Sequence, residues 1–459
     1  MVFATTMAVL DGSIANTALP VIARDLGASP AASIWVVNGF QLAVAASLLS
    51  FAALGQLRGP SRVYRAGVLV FVAGSLACAV ARSLPLLIAA RVLQGVGASA
   101  VMALSPAILR EIFPRAQLGR ALGLNALVVA TSSAAGPALG GFILALLPWP
   151  WLFALNVPFG IVNVALNRAL PKEPRKRGWL DLQSVVTSAL GFALTIWGLD
   201  GFARHEPPWT IAARVLIGGA AGAAFVRRQF TLSRPMIALD LFRIPAFASA
   251  SATSFATFAA QGLAYIALPF LFQEALGKSP LQSGLLLTSW PLAIAVVAPF
   301  AGRLSDRVPV GILATTGLVA LTAGLALYAT LPADPSAADV VLRGIVCGFG
   351  FGFFQSPNNR ELIGSAPREK STSAAGLLAA MRVGGQTVGV ALVAIVFGAF
   401  GASVGAGNAP HDVVANASPA VLWLASGCAA AATLASALRL RGITAGASAP
   451  SSSGRDPSP

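Results

Sequence analysis

Long apolar segments alternate with short polar connections along the whole sequence. Fourteen segments have the low polarity expected of membrane-spanning helices, and most reach the roughly 20 residues needed to cross a bilayer core. The predicted spans are 2–22, 34–57, 66–81, 84–108, 120–147, 150–168, 181–199, 209–226, 247–272, 281–302, 310–331, 340–358, 373–400 and 419–438. Because removing the seventh and eighth spans keeps the parity of the topology, twelve helices remain the alternative.

Composition supports this all-α polytopic membrane fold. Hydrophobic residues make up 56% of the chain and charged residues only 10%, with a mean hydropathy of +0.77, whereas soluble domains carry about 25% charge. The net charge of +15 comes from short clusters between apolar segments. No basic helix face or nucleic-acid motif accompanies them, so the expected environment is a lipid bilayer and no nucleic-acid partner is predicted.

The distribution of lysine and arginine predicts the orientation. With both termini in the cytoplasm, the inside segments carry 23 of the 31 basic residues, and the outside loops carry four. Cytoplasmic loops are the ones enriched in Lys and Arg. No basic region precedes the first apolar segment, so we interpret it as a spanning helix and not as a cleavable signal. We therefore expect a multi-pass protein of the bacterial inner membrane with both termini cytoplasmic.

An internal repeat predicts the domain organisation. GQLRGPSR (55–62) ends the second span, GRLSDRVP (302–309) ends the tenth, and a similar series of Arg, Gly and Pro signals follows each. Two parallel six-helix repeats are typical of secondary transporters with a site between the halves. The predicted units are 1–169 (an N-terminal six-helix bundle), 170–246 (a linker with two extra spans), 247–440 (a C-terminal six-helix bundle) and 441–459 (a disordered cytoplasmic tail).

Few residues in this chain offer chemistry. The three cysteines lie in apolar segments without a Cys-x-x-Cys pair, and the two histidines lie in predicted loops, so no metal site or cofactor is expected. No nucleophile–base set or phosphate-binding loop is present, so an enzyme is not predicted. The exceptional residues are Asp11, Arg91 and Arg382, which lie inside apolar spans. An ionised group at mid-membrane is costly and is a functional-site hypothesis by default.

Four motifs carry a resemblance to a known family. They are LDGSIANTALP (10–20), RVLQGVGAS (91–99), SAAGPALGG (133–141) and WPWLFALNVPFG (149–160). With them, residues 1–440 resemble the fourteen-helix drug:proton antiporter branch of the major facilitator superfamily. The resemblance implies two six-helix bundles plus two central helices, alternating access, and exchange of a substrate for protons.

The resemblance also implies roles for particular residues. Asp11 and Arg91 match positions implicated in proton coupling, although a packing carboxylate paired to an arginine remains the alternative. The exporter signature places an antiporter hinge at Gly136, Pro137, Gly140 and Gly141. The fourth motif is interpreted as structural.

Two loops match the pattern of the superfamily's cytoplasmic gate. The first keeps Gly55, Arg58 and Arg62 but has Gly59 where the family has aspartate. The second keeps Gly302, Asp306 and Arg307. The charges of the first gate are therefore altered, and Arg58 and Arg62 are candidates to compensate.

The expected substrate cavity draws on polar and aromatic residues of both halves. The candidates are Asn16, Gln94, Trp290, Phe353 and Arg382, the last either binding substrate or being capped by carbonyls. Asp11 is the only carboxylate well inside a predicted span, so dications are disfavoured. Lipophilic neutral, weakly acidic or monocationic substrates are predicted.

The functional hypothesis is a proton-coupled antiporter that exports lipophilic drugs or toxic small molecules. The alternatives are a proton-coupled uptake permease and a non-transporting membrane sensor. The partners are a small-molecule substrate, protons and the bilayer. The sequence does not indicate whether a periplasmic adaptor takes part.

Overall fold

The computed structural model describes residues 2–166, 181–203, 206–232, 235–367, 370–401 and 411–447. The regular structure of these residues is helical throughout. The first half contains α1 (Val2–Asp25), α2 (Pro30–Ser33), α3 (Trp35–Arg58), α4 (Pro60–Val80), α5 (Leu84–Ile112), α6 (Arg115–Leu146), α7 (Pro150–Ala154) and α8 (Asn156–Leu166).

The remaining helices follow in chain order. They are α9 (Leu182–Ala203), α10 (Pro208–Thr231), α11 (Pro245–Phe270), α12 (Pro280–Leu304), α13 (Val310–Ala329), α14 (Ala337–Gly364), α15 (Ser371–Ala399) and α16 (His411–Ala447). A 3₁₀ turn at Leu239–Arg243 precedes α11, and a π-helical turn at Leu271–Ala275 follows it.

The helices confirm the predicted polytopic membrane fold. Within the described residues, twelve helical segments are long and apolar enough to cross a bilayer. Shorter apolar stretches, Thr131–Leu146 of α6 and Pro150–Leu166 of α7 and α8, occupy the predicted fifth and sixth positions. Large apolar side chains on the outer faces stay exposed, as on α10 where Leu216 is 71% accessible, which fits contact with lipid.

Several boundaries differ from the predicted ones. Helix α4 begins at Pro60, six residues before the predicted third span, because its first turns carry arginines that lowered the apolar signal. Proline suits this first helical position, where its missing N–H is not needed. Helix α16 continues to Ala447, into the segment expected to be a disordered tail from 441. The remainder of that segment, and residues 170–180 at the start of the predicted linker unit, lie outside the described residues.

The helix packing repeats between the two halves. Helix α1 packs on α6 as α11 packs on α15, and α5 packs on α3 and α4 as α14 packs on α12 and α13. Glycines make the closest of these contacts. A Cβ at Gly97 would lie 2.3 Å from the backbone nitrogen of Phe71, and a Cβ at Gly350 would lie 2.4 Å from that of Leu321. Small residues allow such close helix approach in membranes.

The most extensive contacts between the halves involve three helix pairs. Helix α6 packs on α12, α3 packs on α15, and α1 packs on α11. Helices α9 and α10 pack mainly on each other, and α9 also touches α3 and α15. The middle pair therefore lies beside the bundle and leaves the interface between the halves free for a central cavity.

Candidate functional site

A buried polar network surrounds Asp11 of α1. The Arg91 Nη1 of α5 forms an ion pair with Asp11 Oδ2. The other oxygen, Asp11 Oδ1, accepts hydrogen bonds from Gln94 Nε2 and from Asn156 Nδ2, each at 2.8 Å. Asp11 and Arg91 are 3% and 0% exposed. The network thus holds the Asp11 carboxyl group between the Arg91 guanidinium and two neutral amides, without contact to bulk water.

The Arg91 guanidinium is fixed on several sides. Its Nε donates to the Val36 carbonyl at 3.0 Å, and its Nη1 also donates to Gln94 Oε1 at 2.6 Å. Its central carbon lies 4.2 Å from the ring centroid of Phe40, a cation–π distance. Since only its Nη2 has no partner among the described residues, Arg91 is positioned for Asp11 and does not snorkel to a surface.

Two members of the network were not predicted, and one was predicted for a different place. Ser75 Oγ accepts a hydrogen bond from Gln94 Nε2 at 2.8 Å, and Asn156 reaches Asp11 from the start of α8. Asn156 belongs to the motif interpreted as structural, and its amide in an otherwise apolar stretch was the available signal. Gln94 was expected at the substrate cavity. It is instead fully buried in the network.

A central cavity of about 710 Å³ lies between α6 of the first half and the helices of the second half. Its polar lining comes from Ser133, Gln261, Tyr265, Gln355, Ser356, Asn359, Arg382 and Gln386. Its apolar lining comes from Val129, Phe258, Pro291, Ile294, Ala295, Ala298, Pro299 and Phe351. This volume is typical of small-molecule sites.

A smaller cavity of about 110 Å³ adjoins it on the side of α1 and α3. The two share Ser133, Tyr265, Arg382 and Gln386. Gly12, Ser13 and Asn16 of α1 also line the smaller cavity, together with Phe40. The residues that follow Asp11 along α1 therefore border the cavity, and Phe40 touches both the cavity and Arg91.

The two predicted aromatic cavity residues, Trp290 and Phe353, do not line either cavity. Trp290 is 1% exposed and lies outside both cavity linings; its ring packs edge-on against Tyr265 at 5.2 Å. Phe353 also lies outside them and stacks on Phe349, with ring centroids 5.0 Å apart. The aromatic residues that line the larger cavity are Phe258, Tyr265 and Phe351. A helical repeat alone does not reveal which face turns toward the cavity.

The Gly-Pro segment of α6, residues 136–141, packs closely against two neighbouring helices, α1 and α12. A Cβ at Gly136 would lie 2.5 Å from Ser13 of α1, one at Gly140 would lie 3.3 Å from Ile14, and one at Gly141 would lie 2.5 Å from the carbonyl oxygen of Pro280 of α12. Proline also frees the carbonyl four residues before it.

That freed carbonyl belongs to Ser133, and it finds a partner across the helix interface. Ser13 Oγ donates a hydrogen bond to the Ser133 oxygen at 3.2 Å. Neighbouring side chains commonly satisfy backbone groups released by proline in membrane helices. The carbonyl released by Pro137 therefore links α6, through Ser13, to the face of α1 that lines the smaller cavity.

Contacts between the halves close the molecule at the end opposite the arginine-rich loops. Gln273 Nε2 donates to the Thr17 carbonyl at 2.8 Å, and Arg24 lies 3.6 Å from Glu274. A Cβ at Gly284 of α12 would lie 2.2 Å from the Pro137 carbonyl oxygen. The central cavity lies toward the other end, where Asn359 and Pro299 approach the termini of α14 and α12.

The two predicted gating loops differ in their charges. In the second loop Asp306 pairs with Arg360 of α14, a residue not predicted for this role. Gly302 lies under Ser356, whose Oγ is 2.9 Å from the position of a Cβ. Among the described residues Arg307 forms no ion pair.

The first loop has no comparable acidic contact within the described residues. Arg58 and Arg62 line a groove of about 320 Å³ with apolar neighbours, and Gly55 packs under Leu104. Gly59 has φ +90°, a conformation that disfavours any side chain. The backbone at this turn thus accounts for glycine where the family has aspartate.

An ion pair joins the middle helices at one end. Arg228 donates from Nε to Asp181 Oδ2 at 2.7 Å and from Nη2 to Asp181 Oδ1 at 2.8 Å. The hydrogen bond from Arg228 lowers the pKa of Asp181 to about 2. In the part of the chain that the structure describes, no group of three His, Cys, Asp or Glu side chains could hold a metal ion.

Comparisons with known proteins agree with this architecture. Residues 1–184 and 250–458 match the Major Facilitator Superfamily, and the unmatched interval contains most of α9 and all of α10. The chain is 47% identical over 408 residues to the uncharacterized transporter YebQ of Escherichia coli (strain K12), covering 87% of this chain and 88% of that protein.

Two further relatives have names that mention transport or resistance. The riboflavin transporter RibZ of Clostridioides difficile (strain 630) is 32% identical, over 82% of each chain. The multidrug resistance protein Stp of Mycobacterium tuberculosis (strain ATCC 25618 / H37Rv) is 32% identical, over 86% of this chain and 74% of its own.

Solved structures with a similar fold are distant in sequence. A POT family transporter in complex with a thioalcohol-conjugated peptide gives a TM-score of 0.71 at 13% identity, covering 96% of both chains. A bacterial homolog of the human lysosomal transporter Spinster gives 0.67 at 16% identity, also over 96% of both. The chain therefore belongs to the Major Facilitator Superfamily and is a membrane transporter of that type, not an enzyme.

Proposed function

We propose that this protein exports small molecules from the cytoplasm across a bacterial inner membrane in exchange for protons, by alternating access. The observation that carries the proposal is the buried ion pair between Asp11 and Arg91. Asp11 lies on α1, and the residues that follow it on this helix line the smaller cavity. Protonation of Asp11 removes its charge and weakens the ion pair. A change in proton binding is thereby transmitted to α1, which contacts the cavity.

The arginine distribution supports an orientation with cytoplasmic termini. In that orientation the central cavity faces the cytoplasm, and the contacts of Gln273, Arg24 and Gly284 close the periplasmic end. The conformation is then inward-facing. A structure of the Spinster homolog with a similar fold is described as inward-facing and unoccupied.

The proposed cycle begins in this conformation. Asp11 releases its proton toward the cytoplasm and pairs with Arg91, and a substrate enters the cavity. The halves then separate along the α6–α12 contact, and the substrate leaves on the periplasmic side. A periplasmic proton neutralises Asp11, and the empty transporter returns. Helix α6 moves at the closely packed hinge formed by Gly136, Pro137, Gly140 and Gly141.

The relatives and the motif favour export over uptake. Stp is named a multidrug resistance protein, and the Gly-Pro segment matches an exporter signature. RibZ is named a riboflavin transporter, which indicates that the relatives include transporters of a specific compound. An uptake permease is the competing function, and a measurement of direction separates the two.

Proton movement in inside-out vesicles tests the proposal. Respiration acidifies the vesicle interior, and a panel of lipophilic compounds is added while a dye reports the internal pH. We expect compounds transported by the parent to release protons outward, and Asp11→Asn to abolish this release at equal membrane insertion. Asp181→Asn is the matched control, because its carboxylate lies outside the cavity and the Asp11 network.

Each outcome has a distinct meaning. Proton release in both the parent and Asp11→Asn would retain antiport and place the proton site elsewhere. Proton movement in the same direction as the substrate would replace export by uptake. No substrate-dependent proton movement, in vesicles that accumulate a transported compound, would refute proton coupling.

A further inference from the structure

Arg382 is the one arginine that lines the central cavity, and it has no partner within the described structure. It is the twelfth residue of α15 and borders both the larger and the smaller cavity. None of the described residues forms an ion pair or hydrogen bond with its guanidinium, and no carboxylate lines either cavity. The carbonyl capping considered from the sequence is therefore not observed.

The contrast with the other buried cation is informative. Arg91 is neutralised by Asp11 and also bonds the Val36 carbonyl and Gln94. A charged side chain inside a membrane protein normally faces a partner or an aqueous cavity. Because Arg382 has no protein partner and borders a cavity, the missing counter-charge is expected to arrive with a ligand.

The polar groups around Arg382 suit an anion with oxygen acceptors. Gln386, one turn further along α15, donates to Gln261 Oε1 at 3.0 Å, and Tyr265 and Ser133 border both cavities. These amides and hydroxyls supply further donors beside the guanidinium. A guanidinium binds a carboxylate with two parallel hydrogen bonds, so a carboxylate suits this arrangement better than a lone hydroxyl.

The rest of the cavity suits an apolar body. Phe258 and Phe351 pack edge to face with ring centroids 5.4 Å apart. Ile294, Ala298 and Pro299 of α12 complete an apolar wall. The volume of about 710 Å³ holds a drug-sized molecule with one polar end.

We propose that the transported substrates are amphipathic organic monoanions whose carboxylate binds Arg382 and whose apolar part lies against Phe258, Phe351 and α12. A single negative charge neutralises the single unpaired cation. A cationic ligand would meet a like charge without any compensating carboxylate, and a neutral ligand would leave Arg382 uncompensated. This substrate class rests on the proposed transport function, and it narrows the range predicted from the sequence.

Binding of a matched set of probes tests the substrate class. The probes are 1-naphthylacetate, the neutral 1-naphthylacetamide and the cationic 2-(1-naphthyl)ethylamine, which share one aromatic skeleton. Saturable binding to the purified full-length protein in lipid nanodiscs is measured by equilibrium dialysis at pH 7.5. We expect the parent to bind the carboxylate at least tenfold more tightly than the amide, and the amine more weakly still.

Variants connect that preference to the guanidinium. Arg382→Gln should reduce naphthylacetate affinity at least tenfold and abolish the preference over the amide, whereas Arg382→Lys should retain part of it. Arg214→Gln is the control, since this arginine of α10 pairs with Glu206 in the connection between α9 and α10 and lies outside both cavity linings. A size-exclusion profile of each variant after heating separates loss of binding from loss of folding.

The outcomes separate this inference from the proposed function. Equal binding of all three probes by the parent, or an unchanged preference in folded Arg382→Gln, would overturn the substrate class. Proton release in the vesicle assay with neutral or cationic compounds would then still support antiport. Arg382-dependent naphthylacetate binding without proton release during its transport would retain the substrate class and refute proton coupling.

Discussion

The contact between α6 and α12 predicts how a single methyl group shifts the conformational equilibrium. A Cβ at Gly284 would lie 2.2 Å from the Pro137 carbonyl oxygen, and real Cβ contacts essentially never fall below 3.0 Å. The two backbones must therefore separate by about 0.8 Å to accommodate Gly284→Ala. Because a backbone oxygen cannot rotate away, the helices themselves have to move.

The expected magnitude follows from the energetics of overpacking. An added methyl group in a well-packed interior costs about 1–3 kcal/mol. Because the clash exists only while this end is closed, that free energy favours the conformation with the end open by a factor of roughly 5 to 150. Gly141→Ala, with 2.5 Å to the Pro280 oxygen, should have a smaller effect. Gly140→Ala should have the smallest, because its 3.3 Å contact is to Ile14 of α1 within the same half.

Distance measurements between spin labels report this shift directly. Labels at Ala28→Cys and Lys278→Cys, in a background without the native cysteines, mark the two halves at the closed end. Double electron–electron resonance in nanodiscs should show a longer-distance population that increases in the order Gly140, Gly141, Gly284. Gly427→Ala is the control, since no atom lies within 4 Å of its added Cβ.

One result would refute the reasoning. If folded Gly284→Ala gives the same distance distribution as Gly427→Ala, the α6–α12 contact does not seal this end of the molecule. The Gly-Pro segment would then be packing alone, without a part in alternating access.

Three further predictions concern the α3–α4 turn, the hydrogen bond between α1 and α6, and the ion pair of the middle helices. Gly59→Asp restores the family's carboxylate at φ +90°, so it should destabilise the α3–α4 turn by about 1–3 kcal/mol, measured as a lower thermal midpoint without faster transport. Ser13→Ala removes the partner of the Ser133 carbonyl and should cost about 0.6–1.7 kcal/mol in a detergent unfolding titration. The lowered pKa of Asp181 stabilises α9 and α10 above pH 4, so hydrogen exchange in α9 should accelerate as pH falls toward 2, and Asp181→Asn should abolish that dependence.

The sequence predicted the elements whose signals are local. Each span is a predominantly apolar segment, so its position was accessible without any knowledge of packing. Asp11 and Arg91 stood out for the same reason, since charges inside apolar segments are rare. The start of α4 was missed because arginines in its first turns resemble a loop, although a helix end at the membrane surface accommodates them.

Roles that depend on which face of a helix points toward the cavity could not be assigned from the sequence. Trp290 and Phe351 both lie in apolar segments, yet the first is buried behind Tyr265 and the second lines the cavity. Asn156 is 145 residues from Asp11 along the chain and becomes its hydrogen-bond partner only through the packing of α8 on α1. Neutral amides give no charge signal, and their partners are set by tertiary contacts.

The internal repeat also had a limit that the structure explains. The series of signals in the first half contains Arg91, Gly95 and Gly97, and the series in the second half contains Arg343, Gly348 and Gly350. The glycine contacts align α5 and α14 so that Gly95 matches Gly348 and Gly97 matches Gly350, which leaves the two arginines one residue out of register. In this register Gly344 is the second-half residue equivalent to Arg91. Arg343 pairs with Asp339 near the start of α14. Among the described residues, the buried Asp11–Arg91 pair therefore has no counterpart at the equivalent position of the second half.

That asymmetry separates the two proposed tasks of the transporter. In the proposed cycle the proton binds at the Asp11–Arg91 pair, which lies in the first half. Arg382 lies in the second half, and its charge is fixed because an arginine does not release its proton near neutral pH. In the proposed function, different groups bind the substrate charge and the proton. The helices that connect them are α1, through Ser13, and α3, through Phe40. On this proposal, coupling passes through the packing of α1 and α3, and direct competition for one carboxylate is not required.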